Sequence, residues 1–526
     1  MIETSLWRSC LLFVTLVGAV SFAHAQVGFS ITGYRVVGNT LLTGKQLGSA
    51  TDPFVGPSSD FETIQRALES LERSYIAEGY GSVRVELPEQ ELDSGVVTLQ
   101  VVEGVLGDID IQSSGLYDNE NVRHSLPALR PGRPVNIHAL NRNLVLANEA
   151  GSKVTSVTFK RSLNSRDVDA SVKVQADDPQ RWLLVLDNTG SDLNGHYRAG
   201  LVYQNANVWN RDHALLGQIM SSPGSWGQVH IIGLGYRVPL YALGDAFEVN
   251  ASESNVDSRG TVSGADIAAI GKGRIVGMRY TRNLSPSAEW QHKLSAGLES
   301  RNYNNVGNTG ESNLSTLPLT LGYTGNWRSA QRDWSLSATW LKNIPAGPSG
   351  WDSDLNAEGG RTGSRADFQT WKFSAQLSER FLNQWTLRAA LSGQITQDLL
   401  IAAEQFGAGG AESVRGFADR EAAGDQGVRL GLEMGFAPWE VDLLRLTPLV
   451  FMEAASVRRN SPLPGEIESQ TLSSVGVGLR AAYGRQASAR LDWGFVTRGL
   501  DGAPGAVSNG AGQGNSRLHV SFVWIN

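Results

Sequence analysis

An arginine held between Val414 and Gly416-Phe417, in the run GAGGAESVRGFADREAAGD at residues 407–425, is the residue in this sequence best placed for directional chemistry. A guanidinium is planar, always charged and donates in a fixed fork, which suits bidentate bonding to a carboxylate. Gly409, Gly410 and Gly416 permit positive φ and close backbone approach around Arg415. Connections longer than about 12–15 residues usually have a function or stay disordered. Spacing alone also admits a solvated loop arginine. Enzyme chemistry has less to stand on. The sequence has no His-Glu-x-x-His, P-loop or Gly-x-Ser-x-Gly, and its 8 histidines lack metal-ligand spacing. Gly271-Lys-Gly-Arg-Ile-Val-Gly277 has the wrong spacing for a dinucleotide loop and reads as strand. No catalysis, cofactor or metal is expected.

The elements that position Arg415 are strands. From Arg181 onward the helical pattern ends and strict alternation begins, as in Trp334–Trp340, Trp371–Leu377, Arg429–Phe436 and Arg490–Phe495. Leu446, Pro448, Val450, Met452 and Ala454 form one apolar face, so Phe451 and Glu453 point the other way. Periodicity alone fits a soluble sandwich or a membrane barrel. Three features favour the barrel: about sixteen strands running to the chain end, tryptophans near strand ends (Trp182, Trp209, Trp290, Trp327, Trp334, Trp340, Trp371, Trp385), and a final strand Leu518–Trp524. At about 21 residues per strand plus connection, residues 181–526 fit membrane-crossing strands.

Upstream the texture is α+β. Ile31–Val37 reads as strand, Asp60 caps a helix with apolar Phe61, Ile64, Leu68, Leu71 and Tyr75, Gly79 ends it, and Ser82–Leu87 and Val96–Val102 follow as strands. A second unit repeats the pattern, with strands at Asp108–Gln112, Val154–Phe159 and Asp169–Gln175 and helices at Asn119–Leu126 and Ile137–Ala147. Residues 1–25 read as a signal peptide: Arg8, the apolar core Leu11–Val20, then Ala23-His24-Ala25. The only cysteine, Cys10, lies inside it, which excludes a disulfide scaffold. A net charge of −7 with 18% charged residues gives no nucleic-acid surface.

Together these stretches resemble the two-partner secretion (TpsB) outer-membrane transporters, hemolysin activation/secretion type, within the superfamily that includes the outer-membrane assembly factors. VVGNTLL (36–42), GYGSVRVELPEQELDSGVVTLQVVEG (79–104), LDNTGSDLNGHYRAGL (186–201), GGAESVRGF (409–417) and FMEAA (451–455) carry the resemblance. It implies two POTRA domains (28–104 and 105–178) and a 16-stranded antiparallel barrel (181–526) with an inward loop at 397–425. It also implies that Gly409, Gly410, Val414, Arg415, Gly416 and Phe417 form the lumen motif, and that Arg415 pairs with Glu453, beside Phe451, on the inner wall. Glu453 stands where the family has Asp, and Ala455 where it has Gly.

The implied function is a monomeric pore in outer-membrane lipid. Its periplasmic POTRA domains take up an unfolded exoprotein of the hemolysin or filamentous-adhesin class, which crosses the barrel to the cell surface. A POTRA edge strand beside a helix could accept an extended segment by β-augmentation, near Asp60–Ala77 with Ser82–Leu87 or near Val154–Phe159. An assembly factor that inserts barrels usually carries more POTRA domains. A passive porin needs no such loop. Cleavage after Ala25 leaves Gln26 and Val27 before POTRA-like sequence, so no N-terminal plug helix is expected.

Overall fold

The computed structural model describes residues 29–526 except 114, 163–166, 191–194, 225–229, 256–271, 285–289, 308–309, 358–359, 463, 465 and 501–509. The expectations of a signal peptide and of no plug helix fall outside the described residues. Two compact units divide at Gly104/Val105.

The first unit contains β1 (Phe29–Ile31), β2 (Gly33–Val37), α1 (Gly44–Thr51), β3 (Gly56–Ser59), α2 (Phe61–Ala77), β4 (Val83–Glu86) and β5 (Val96–Glu103). The strand expected over Ile31–Val37 is divided at Thr32 between two sheets. β1 pairs β3, and β2 joins a sheet of order β2-β5-β4, which leaves β4 at an edge. Asp60 caps α2 by accepting from the Thr63 N–H and hydroxyl, and these bonds hold its carboxyl below the usual range. Gly79 at φ +94° ends the helix. The α2 stripe Ile64, Leu71 and Tyr75 packs on Val97, Leu99 and Val101 of the central strand. Sequence reasoning did not locate α1, although Thr43 and Gln46 close a capping box at its start.

The second unit opens with β6 (Leu106–Ser113), α3 (Asn119–Ser125), α4 (Ile137–Ala147), β7 (Lys153–Arg161) and β8 (Val168–Ala176). Its sheet runs β6-β8-β7, with Leu106, Val122, Leu140 and Val172 in the core. This small domain is joined to the barrel by a buried polar cluster. Lys153 Nζ lies 2.7 Å from Asp212 Oδ2, which also accepts from the Tyr241 hydroxyl at 2.6 Å, and Asn121 Nδ2 donates to Asp212 Oδ1 at 2.9 Å. Burial pulls the Lys153 ammonium below the usual lysine range, against the raising effect of Asp212. Leu146 and Ala147 of α4 pack on Tyr241 and Ala246, and Glu149 bridges Arg237 and Lys293.

The barrel follows in chain order: β9 (Gln180–Asp187), β10 (Arg198–Val208), β11 (His213–Ser221), β12 (His230–Leu240), β13 (Asp245–Ser254), β14 (Gly273–Asn283), β15 (Trp290–Gly307), β16 (Gly310–Thr316), β17 (Pro318–Arg328), β18 (Arg332–Asn343), β19 (Gln369–Arg380) and β20 (Thr386–Ile395). The short β21 (Phe406–Ala408) and β22 (Ala422–Gly424) pair only with each other. Then come β23 (Gln426–Gly435), the short β24 (Trp439–Val441), β25 (Leu444–Arg458), β26 (Ser469–Tyr483), β27 (Ala487–Arg498) and β28 (Ser516–Ile525). β16 and β17 both pair with β15 as two halves of one strand, and β24 only extends the turn before β25, so the closed antiparallel barrel has 16 strands. β28 closes on β9, and the Asn188 side chain prolongs the seam by bonding Val520 N–H and Leu518 C=O.

The alternation has the meaning of a membrane barrel. Val450 and Met452 are 42% and 56% exposed on the outside, whereas Phe451 between them is 4% exposed on the inside. One departure from the all-strand expectation is the single-turn helix α5 (Asp352–Leu355) in the connection between β18 and β19.

Candidate functional site

The connection between the eleventh and twelfth barrel strands, β20 and β23, turns into the lumen. Phe406–Ala408 and Ala422–Gly424 form a small hairpin whose tip carries residues 409–421. Gly409, Gly410 and Gly416 have φ of +110°, +100° and +102°, a region that residues with a Cβ seldom adopt. Val414 and Phe417 are fully buried and pack with Ala408, Ala455, Val457, Leu472 and Val496, so an apolar cluster fixes the tip against β25, β26 and β27. Between these two side chains Arg415 projects the other way.

Arg415 is 3% exposed and meets three carboxylates. Its Nη2 lies 2.7 Å and its Nε 2.9 Å from Glu453 Oε1, while Nη1 is 3.1 Å from both Glu433 Oε2 and Asp492 Oδ1. The other Glu453 oxygen accepts the Arg415 backbone N–H at 2.7 Å, so one carboxylate holds both the main chain and the side chain. The Phe451 ring lies 3.4 Å from the Arg415 Cζ, a cation–π contact, and its other neighbour is Gly476, where a Cβ would come within 2.3 Å of the ring. Val414, Arg415, Gly416 and Phe417 of the loop thus meet Phe451 and Glu453 of the wall, whereas Gly409 and Gly410 lie against Ala418 and Asp419 at the base of the tip.

The sequence did not indicate the size of the cluster. Arg480 bonds Asp492 at 2.8 Å and Glu433 at 3.2 Å, Arg490 bonds Asp492 and Glu412, and Arg388 reaches Glu433. Pairings between strands far apart in sequence have no local signal. Two further positions had none. His519 on β28 accepts the Gly416 N–H at 3.0 Å through Nε2. Gly494 on β27 lies so close to the loop that a Cβ would sit 2.6 Å from both Arg415 C and Gly416 N. Beneath the tip remains a lumen cavity of about 680 Å³ bordered by Asp187, Arg198, Asp419, Arg445 and His519.

Chemically, the arrangement is a set of opposite charges paired at close range. It can hold a loop at one position across a wet channel, since each of these arginines faces a carboxylate and the Arg415 and Gly416 backbone donors each have an acceptor.

Residues 167–481 match the family described as haemolysin secretion/activation protein ShlB/FhaC/HecB, and residues 29–104 match the ShlB-type POTRA domain. The outer membrane transporter CdiB of Dickeya dadantii (strain 3937) is 21% identical over 433 residues, covering 79% of this chain and 74% of that protein. CdiB of Escherichia coli is 24% identical over 451 residues, covering 82% and 73%. The solved structure of Escherichia coli CdiB superposes with a TM-score of 0.73 at 17% identity, over 97% of this chain and 93% of that one. CdiB from Acinetobacter baumannii gives 0.69 at 16% identity, over 95% and 90%. The chain therefore belongs to the ShlB/FhaC/HecB family of haemolysin secretion/activation proteins, as a TpsB-type outer-membrane transporter with its POTRA region in the periplasm.

Proposed function

We propose that this transporter exports one large partner exoprotein of the hemolysin or filamentous-adhesin class, and that the Arg415 cluster sets the loop position on which export depends. The observation that carries the reading is the tip 409–421 held inside a closed barrel by an arginine shared among Glu433, Glu453 and Asp492. A passive channel gains nothing from such a pin. The domain roles follow: 28–104 and 105–178 receive the unfolded partner, and 181–526 conducts it as a monomer. The edge strands β4 and β7, each beside a helix, fit uptake of an extended segment by β-augmentation.

The test is co-expression with candidate large exoproteins of that class, with secretion read by immunoblot of the medium. Arg415→Ala removes one partner of a buried charge cluster, a loss of about 3–5 kcal/mol. Export should fall sharply while the barrel still resists SDS at room temperature. Normal secretion by a folded Arg415→Ala barrel would make the loop an ordinary one.

A further inference from the structure

The inward connection is held at its outer end by a second set of charges, independent of Arg415. Asp425, at the exit of the loop, is fully buried and accepts from four residues on three connections. Arg361, from the connection between β18 and β19, donates through Nη1 to both carboxylate oxygens at 2.8 Å. The Leu400 N–H and Gln405 Nε2 donate to Oδ1 at 2.9 and 3.1 Å, and the Asn460 N–H, from the connection between β25 and β26, donates to Oδ2 at 2.7 Å. Arg361 then reaches back with Nη2 to Glu466 at 3.0 Å. Asn460 closes the ring by donating to the carbonyls of Thr396 and Asp398.

At the entry of the loop the pattern repeats. Glu404, 3% exposed, takes both carboxylate bonds from Arg301 Nη1 at 2.8–2.9 Å, with the Tyr303 hydroxyl at 2.7 Å and the Thr316 hydroxyl at 3.2 Å. Tyr303, Leu314, Leu355 and Ile401 pack around it, and Leu341, Phe368 and Leu400 form a neighbouring apolar cluster. The first barrel strand, β9, leaves the domain of residues 105–178 at Gln180 and runs outward, so odd-to-even barrel connections, these segments among them, lie at the extracellular end.

We infer that Asp425 and Arg361, seconded by Glu404 and Arg301, are positioning residues that lock the outer half of the inward connection to two extracellular connections, forming a cap that closes the pore independently of the Arg415 pin. The apolar clusters supply contact area, but they do not select one arrangement. The fully desolvated carboxylates do, because displacement of any of their partners leaves a buried charge short of donors. The outer half of the connection is therefore fixed, and movement of the loop is confined to the tip between Gly409 and Glu421. This inference does not rest on the export reading, because closure can be measured without a partner.

The experiment uses the full-length barrel with Ser392→Cys as a reporter on the wall of the lumen cavity, since Cys10 is the only other cysteine in the sequence. Arg361→Ala and Asp425→Asn are compared with the parent for single-channel conductance in planar bilayers and for labelling of Ser392→Cys from outside by a bulky, membrane-impermeant maleimide. SDS resistance reports the fold. Both variants should conduct several-fold more and label at least tenfold faster while remaining SDS-resistant, a combination that a purely structural role would not produce. Unchanged conductance and labelling in folded variants would overturn the latch. So would a parent that labels as fast as the variants, or collapse of both barrels, which would assign the cluster to folding alone.

Discussion

Gly494→Ala adds one methyl to β27 and changes no charge. Its Cβ would lie 2.6 Å from Arg415 C and Gly416 N and 2.8 Å from Arg415 O, where ordinary contact begins at 3.4 Å. The loop backbone would have to retreat by roughly 0.8 Å, because repulsion inside the dispersion minimum rises steeply. That retreat strains the Arg415 N–H bond to Glu453 (2.7 Å) and takes the Gly416 N–H bond to His519 (3.0 Å) out of range. Overpacking costs about 1–3 kcal/mol, and an unsatisfied buried donor about 1–3 kcal/mol more. The pinned position then loses on the order of 2–6 kcal/mol, which lowers the ratio of pinned to released loop by about 30-fold to about 20,000-fold. Secretion of the co-expressed partner should fall as far as it does in Arg415→Ala, with SDS resistance retained. Gly217→Ala on β11, where an added Cβ meets nothing within 4 Å, is the control. Wild-type secretion by Gly494→Ala would refute the claim that export depends on the position of the loop backbone.

Single cysteines placed near Gly350 should be labelled on intact cells by an impermeant reagent and those near Gly95 should not; labelling at both would break the assigned topology. Lys153→Met leaves Asp212 buried without its cation, at about 3–5 kcal/mol. Limited proteolysis should then cut the 177–180 segment faster, whereas an unchanged cleavage rate would make the ion pair dispensable to the junction. Deleting residues 407–425 removes the tip, its arginine and Asp425 together, so single-channel conductance should rise several-fold, and an unaltered channel would place the constriction elsewhere.

Much of this architecture could be read from period and parity. The stripe of α2, its Asp60 cap, the two α+β units and the alternation after Arg181 each obey a local rule. The inward direction of Glu453 followed from counting along β25 alone. What escaped the sequence is non-local. α1 has only a capping box to announce it in a short, weakly apolar run. α5 is one turn inside a connection. Glu433 and Asp492 converge on Arg415, and His519 on Gly416, from β23, β27 and β28, and only closure of the sheet brings them together. Gly494 offers no chemistry of its own, and its importance lies in the atom it lacks. Asp425 and Glu404 gave no signal, because nothing near them in sequence shows that Arg361 and Arg301 fold over them.

The two departures from the family motif are explained by one geometry. Glu453 reaches one methylene further from the wall than an aspartate would. That reach lets Oε1 meet the Arg415 fork while Oε2 takes the Arg415 backbone N–H. The backbone bond fixes the chain at Arg415 itself, not only the end of a long flexible side chain, and so limits rotation of the tip about Gly416. Two residues along the same face, Ala455 is 3% exposed and its methyl fills the apolar cluster with Val414 and Phe417. A glycine there would leave a gap beneath those side chains, and buried methyl-sized voids cost on the order of 1 kcal/mol. The longer acid sets the height of the loop above the wall, and the added methyl packs the space that this height leaves.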